Sequence, residues 1–407
     1  VPRILVLGAG FAGLWAAIGA ARKLDQIGRA ASEVEILVVD RNDYHNIRVR
    51  NYEVDLSDVA IPLGELLDPI GVKHVVAEVE AVDPTTRQVR LAIDHGQQCL
   101  DYDRLVLTLG SQLVRPAIPG LAVYGFDVDT YAAASRLRAH LAELGRRTPS
   151  LERSTVVVVG AGFTGIEVAT EMPAKLDSAH VSGPYRIILV DPNSDVGATI
   201  GVNARPTIHE ALLALGIETR LNVSVSAVDA DGISLSSGEF IATDTVVWCA
   251  GMRASPVAAA LGTTRDDKGR LLVDQFMRAT ELKHVFAAGD IASSVVDSVH
   301  ATVMSCQFAR PMGRFAGHNV VADLFGLPML PLEIDWYVTV LDLGAWGALY
   351  TVGWDRQVHT VGASAKLTKQ TINHKRIYPP RTRDRSDLLA AAAPTIQGPP
   401  GSRTSTA

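Results

Sequence analysis

The sequence predicts an α/β chain: two βαβ units followed by a small C-terminal α+β domain. Three observations predict it. A strand-and-glycine pattern occurs twice, as RILVLGAGFAG from Arg3 to Gly13 and TVVVVGAGFTG from Thr155 to Gly165. Each copy is followed by a helical stretch and a second apolar run ending in Asp, at Glu35 to Asp40 and Arg186 to Asp191. Three more apolar runs end in Gly: Leu105 to Gly110, Val246 to Gly251 and His284 to Gly289.

Short continuous apolar runs ahead of a glycine cluster are the pattern of strands buried on both faces and entering a helix. The two copies are therefore two Rossmann-type units. The echoing Gly-ended runs close them, and the run from Val285 returns to the first sheet. The expected domains are 1–114 with 249–325, then 115–248 inserted between them, then 326–378. Trp336 to Gly362 carries aromatic and β-branched residues broken by Gly344, Gly347 and Gly353, which predicts a small antiparallel sheet. Residues 379–407 are rich in Pro, Ala, Arg, Ser and Thr and are expected to be disordered.

With 407 residues, the chain is long enough for two or three domains. A net charge of −6 argues against nucleic acid as the main partner, because phosphate binding needs a basic surface. The three cysteines, Cys99, Cys249 and Cys306, form no C-x-x-C pair, which suits a reducing compartment and gives no metal-site spacing. No basic-then-apolar leader precedes the first strand, and no apolar run reaches the roughly 20 residues of a membrane span. A cytoplasmic protein is expected.

Gly8, Gly10 and Gly13 form G-x-G-x-x-G around Phe11 and Ala12. One glycine permits the tight turn, one lets a pyrophosphate approach the backbone, and one lets helix and strand pack closely. The helix N-terminus offers N–H groups and positive dipole to phosphates. Asp40 at the end of the next strand suits ribose hydroxyls. Gly160, Gly162 and Gly165 repeat the turn around Phe163 and Thr164, with Asp191 as the terminal acid. A carboxylate there binds a free 2′-hydroxyl and repels a 2′-phosphate, which favours NADH over NADPH. The following PNSDVG holds no cation, and Arg186 and Arg205 are the nearest in sequence.

These motifs resemble the two-dinucleotide-binding-domain flavoproteins, and within them the type II NADH dehydrogenases (NADH:quinone oxidoreductases) and their apoptosis-inducing-factor-like relatives. Asp40 to His45 resembles the family's segment after the ribose-binding acid. Leu107 to Ser111 resembles the segment closing the FAD site. Val247 to Pro256, VWCAGMRASP, is similar to W-A-A-G-x-R-A-S-P, and Ala287 to Asp290 is similar to the second FAD motif. The resemblance implies FAD at the first turn with Arg41, His45, Val79, Thr108, Leu109, Gly110, Asp290 and Gln307. It implies NADH at the second turn with Ala250 and Gly251. It implies hydride transfer from NADH to FAD, then electron transfer to a quinone or similar acceptor.

Glu167 follows the second turn by two residues, where the family has a Glu beside nicotinamide and flavin; Glu171 competes with it. The other reading of Glu167 is an acid complementing the helix dipole. Gln307 matches the first Gln of a quinone-side A-Q-x-A-x-Q-Q-G, but Pro311 and Met312 replace the later pair. Arg48 and Arg50 replace an apolar, Pro-containing run. They either bring charge towards the flavin or acceptor, or are solvent-facing strand residues. Tyr337 to Tyr378 resembles the terminal domain. There Lys366 is a candidate to face the flavin. Lys366, Lys369, Lys375 and Arg376 with Leu367, Ile372 and Ile377 make either a membrane-contacting face or a domain-edge helix. A peripheral position on the inner face of the membrane and a homodimer belong to the same set of expectations. Competing acceptor chemistries are those of ferredoxin or rubredoxin reductases, sulfide:quinone oxidoreductases using Cys249 and Cys306, and slow redox-sensing flavoproteins.

Overall fold

The computed structural model describes residues 1–30, 32–94 and 96–401. The first unit runs β1 (Arg3–Leu7), α1 (Phe11–Gln26), β2 (Glu35–Asp40), β3 (Lys73–Val76) and β4 (Arg104–Leu107). Ile4, Leu5, Val6 and Leu7 are wholly buried, because elements cover both faces of the sheet and no face needs polar residues. After an antiparallel sheet over 78–101, β5 (Ser111–Leu113) leads into the second unit.

That unit comprises β6 (Gly125–Phe126), β7 (Thr155–Val159), α2 (Phe163–Ser178), β8 (Arg186–Asp191), β9 (Glu218–Leu221) and β10 (Thr245–Trp248). Its strands pair in parallel in the order β6-β10-β7-β8-β9. The chain returns through β11 (Met252–Ala254), which pairs antiparallel with β5, so the two crossings between units lie side by side. β12 (Val285–Ala287) then joins the first sheet, whose order is β12-β4-β1-β2-β3, all parallel.

α3 (Cys306–Leu324) lies on α1 at close range. A Cβ on Gly313 would stand 2.3 Å from the Ala12 carbonyl oxygen, and one on Gly317 2.2 Å from that of Ala16. Only glycine admits this approach, and it fixes where the first turns of α3 point. The C-terminal sheet is β13 (Val338–Asp342), β14 (Ala348–Val352) and β15 (Gln357–Val361), antiparallel, followed by α4 (Gly362–Thr371) and a wider π-type turn at Ile372–Arg376.

Two expectations are corrected. The segment after 378 is not disordered through 401. It forms α5 (Arg385–Ala391), capped by the Asp384 carboxylate, which accepts from the Asp387 N–H at 3.0 Å. Leu388 and Leu389 are buried and Arg385 pairs with Asp25 at 2.7 Å. Composition averaged over the segment hid a short Leu-Leu-Ala face flanked by Pro and Arg. The expected disorder of 402–407 lies outside the described residues. Arg48 and Arg50 are not on a strand but in a 3₁₀ turn, Arg48–Arg50.

Candidate functional site

Both glycine turns open on one cavity of about 1450 Å³. Pockets for a single small ligand are about 300–1,000 Å³, so this one has room for more than one. The glycines divide the work alike in each turn. Gly8 (φ +98°) and Gly160 (φ +106°) take the left-handed backbone of the tight turn. Gly10 has nothing within 4 Å of a Cβ position and faces the open cavity. Gly162 meets only the Thr199 hydroxyl at 3.9 Å. A Cβ on Gly13 or Gly165 would lie 1.7 Å from the carbonyl oxygen of Gly8 or Gly160, so these two do not line the cavity but let helix and turn pack.

The terminal acids are also twins. Asp40 accepts from the Ala9 N–H at 2.7 Å and the Asn42 N–H at 2.8 Å. Asp191 accepts from the Ala161 N–H at 2.6 Å and the Asn193 N–H at 2.8 Å. Each carboxylate thus braces its turn while lining the cavity. The cations nearest Asp191 in sequence are engaged elsewhere: Arg186 pairs with Glu218 at 2.7 Å and Arg205 with Asp195 at 3.5 Å. Arg186 is thus held away from a 2′-phosphate by a close pair, and Arg205 by a longer one.

Phe11, Ala12, Arg41, Val79, Thr108, Leu109, Gly110, Asp290 and Gln307 line the same cavity, as do Phe163, Thr164, Ala250, Gly251 and Glu167. Thr108 donates to the Leu7 carbonyl at 2.7 Å, which ties β4 to the first turn. Ser111 donates to Asp290 at 2.7 Å. The Gln307 side-chain nitrogen is buried with no hydrogen-bond partner. These are groups able to hold a dinucleotide and its ring system.

His45 is a correction. It is fully buried and outside the cavity lining. Its Nδ1 lies 2.8 Å from the Ala9 carbonyl, and its ring meets Phe11 edge-on. It supports the first turn from behind. Burial pushes its pKa down to about 4. An unfolded histidine protonates below about 6.5, so the unfolded chain binds the extra proton between those values and stability rises with pH there. Acidification from about 6.5 to about 4 should cost up to about 3 kcal/mol through this group. His318, also pushed down to about 4 by burial, adds to the slope. The readout is therefore the difference between native and His45→Asn protein in urea midpoints across that range. Identical slopes would contradict the assignment.

Glu167, on the second turn of α2, is buried and lines the cavity. Its partner is Lys369, at 2.7 Å, not Lys366. Burial holds Glu167 above the usual carboxylate range, against the pull of Lys369. Burial works against the charge on Lys369, but Glu167 outweighs it and holds the ammonium above its usual value. Lys366 lies outside the cavity lining and pairs at 2.5 Å with Asp342. Asp342 also accepts from the Tyr52 hydroxyl at 2.9 Å, and its own N–H donates to Glu167 at 3.1 Å. The membrane-face reading of this segment loses most of its cations, since Lys369 is buried, Lys366 is paired and Arg376 lines the cavity. Glu171 is not in the lining.

Arg48 lines the cavity but is held by Asp129, with Asp290 at 3.8 Å. Arg50 is fully buried, pairs with Glu53 at 2.7 Å and donates to the Tyr378 hydroxyl. Arg50 is buried, Arg48 is part-exposed on the cavity, and each is paired with a carboxylate. Cys249 and Cys306 both line the cavity, and burial raises both thiols above their ordinary range, away from the nucleophilic thiolate. Among the described residues no helix is long and apolar enough to cross a membrane.

Two Rossmann-type units facing a shared cavity define the fold class of the nucleotide-dependent oxidoreductases. The chain belongs to the pyridine nucleotide-disulphide oxidoreductase family, which it matches over residues 2–313. It is 54% identical over 403 residues to a NADH dehydrogenase-like protein of Mycobacterium tuberculosis, covering 98% of this chain and 100% of the other. It is 25% identical to the type II NADH:quinone oxidoreductase of Staphylococcus saprophyticus, over 92% of this chain and 95% of that one. Among solved structures, NDH2 from Plasmodium falciparum shares the fold at a TM-score of 0.73 and 13% identity, over 96% and 98% of the two chains. The chain is thus an oxidoreductase, and the resemblance drawn from its motifs stands.

Proposed function

We propose that the chain is an FAD-dependent NADH:acceptor oxidoreductase whose acceptor is a quinone or similar small molecule. The observation that carries this reading is the single cavity onto which both glycine turns open. When bound, FAD supplies the ring that takes a hydride from NADH and passes the electrons on. The chain's own residues bind and orient. The first turn and the N-terminus of α1 offer N–H groups to a pyrophosphate, and Asp40 offers its remaining lone pairs to a ribose. Asp290, held by Ser111, is placed for a polyol chain, and Thr108 to Gly110 close that side. The second turn with Asp191, Ala250 and Gly251 holds NADH. Glu167, fixed by Lys369, presents a polar group where the second helix begins. Gln307 opens α3 on the acceptor side. Rate comes mainly from positioning two rings and excluding water.

Asp191→Asn should lower the preference of kcat/KM for NADH over NADPH by about tenfold or more, since like charges in contact cost several kcal/mol. An unchanged ratio would remove Asp191 from that role. Steady-state NADH oxidation with a soluble naphthoquinone, with ferredoxin and with oxygen tests the acceptor. Saturable quinone-dependent turnover at or above the ferredoxin rate supports the reading. Turnover with ferredoxin alone overturns it in favour of a ferredoxin-type reductase. A long-lived complex with no turnover overturns it in favour of a redox-sensing flavoprotein.

A further inference from the structure

α3 carries Arg310 and Arg314 one turn apart, with relative exposures of 7% and 4%. Both guanidinium groups lie over the ring of Trp15, at 5.5 and 4.4 Å from its centroid. The Nε atoms of both are buried without a hydrogen-bond partner. Arg376, from the turn after α4, lines the cavity with them and donates to the Gly398 carbonyl. Among the described residues no Asp or Glu pairs with any of the three. The titratable and charged groups facing them are Cys306, Tyr350, His45 on the Arg310 side, and one another. Burial and mutual repulsion bring Arg310 down to about 9, and burial with Arg376 brings Arg314 down to about 10.

Buried charges in proteins are paired, because an unpaired one forfeits hydration with no return. Two buried guanidinium groups, with the part-exposed Arg376 lining the same cavity, therefore call for an anion from outside the chain. The phosphates of a dinucleotide have their own donors in the glycine turns, whereas Arg310 and Arg314 gather at Trp15, in the second turn of α1. Gln307 lies one turn back along α3, and Pro311, Ile377, Ile396 and Pro400 line the same cavity, so apolar residues accompany the cations there. An uncharged quinone would meet the apolar residues and leave the arginines without a counter-charge.

We propose that the acceptor bears a negative charge: a quinoid ring carrying a carboxylate, whose carboxylate is taken by Arg310, Arg314 and Arg376. Planar guanidinium groups match a carboxylate with paired hydrogen bonds, which a point cation does not. This rests on the acceptor-side reading of the cavity given above.

The test uses the oxidised, flavin-loaded protein and a redox-inert pair, 1-hydroxy-2-naphthoate and uncharged 1-naphthol, in titration calorimetry. The naphthoate should bind at least about tenfold tighter, the scale of charge-assisted hydrogen bonds. Arg310→Gln and Arg376→Gln should each erase most of that difference, and Arg310→Lys should restore part of it. In turnover, the ratio of kcat/KM for 1,4-naphthoquinone-2-carboxylate over 1,4-naphthoquinone should fall in the Gln variants. Equal binding of the two naphthalenes by native protein would overturn the proposal. So would loss of FAD from Arg310→Gln with the ligand preference unchanged, which would assign the arginines to the flavin phosphates. Inorganic phosphate competing as well as the naphthoate would reduce the site to an ion hole and also overturn it. Tight naphthoate binding with neither quinone turned over would overturn the acceptor reading while leaving an anion site standing, so the two failures are distinct.

Discussion

Gly165→Ala will give a protein that keeps its flavin but is no longer reduced efficiently by NADH. The added Cβ would stand 1.7 Å from the Gly160 carbonyl oxygen and 3.5 Å from Cys249. The carbonyl belongs to the turn itself, so relief requires the turn to move away from the helix start. That turn presents the N–H groups on which NADH is proposed to sit. A displacement of about 1 Å at a positioning element costs on the order of 100-fold in rate, and kcat/KM for NADH should fall by about that factor, or about 2.7 kcal/mol. The flavin band should survive, because the first turn lies in the other unit. Gly13→Ala makes the mirror clash with Gly8, also at 1.7 Å, and should instead strip the flavin. Flavin loss from both variants alike would contradict the division of the two turns between FAD and NADH.

The second large effect concerns the Glu167–Lys369 pair. Lys369→Met leaves a buried carboxyl without its cation. Breaking such a pair from one side costs about 3–5 kcal/mol. Glu167 already sits above the usual carboxylate range through burial, and losing Lys369 raises it further. Its folded form would then hold a proton that the unfolded form releases. Stability of this variant should accordingly fall as pH rises through the raised folded value. Glu167→Gln with Lys369→Met should recover most of the loss, because the amide carries no charge to strand. Urea unfolding of the single and double variants closes the cycle. A Lys369→Met protein as stable as the native one, or a double variant no better than the single, would show that the pair carries little coupling.

Much of the scaffold was legible because its constraints are steric. Gly8, Gly10 and Gly13 each answer a different geometric need, and the same three needs recur at Gly160, Gly162 and Gly165. Asp40 and Asp191 were legible because they end strands that point at those turns. What the chain concealed lies where distant segments meet. Lys366 and Lys369 are one turn apart on α4, and their identities do not say which faces inward. A signal existed: Ala365, Lys369, Ile372 and Asn373 follow i, i+4, i+7, i+8 spacing, and Ala365, Lys369 and Asn373 are buried. Read as a core stripe, that spacing selects Lys369. Tyr52 and Asp342 enter the same network from segments far apart in sequence, and nothing local marks them. Arg310 and Arg314 stand in plain view on α3, but nothing in the local sequence says that both are buried. Their i, i+4 spacing places both on the face that meets Trp15.

Anaerobic titration of the purified flavoprotein with NADH shows whether one cavity brings NADH and FAD together. The visible flavin absorption should bleach in proportion, to an endpoint of one NADH per flavin. Protein that binds no FAD, or a flavin that stays oxidised with NADH in excess, would contradict it.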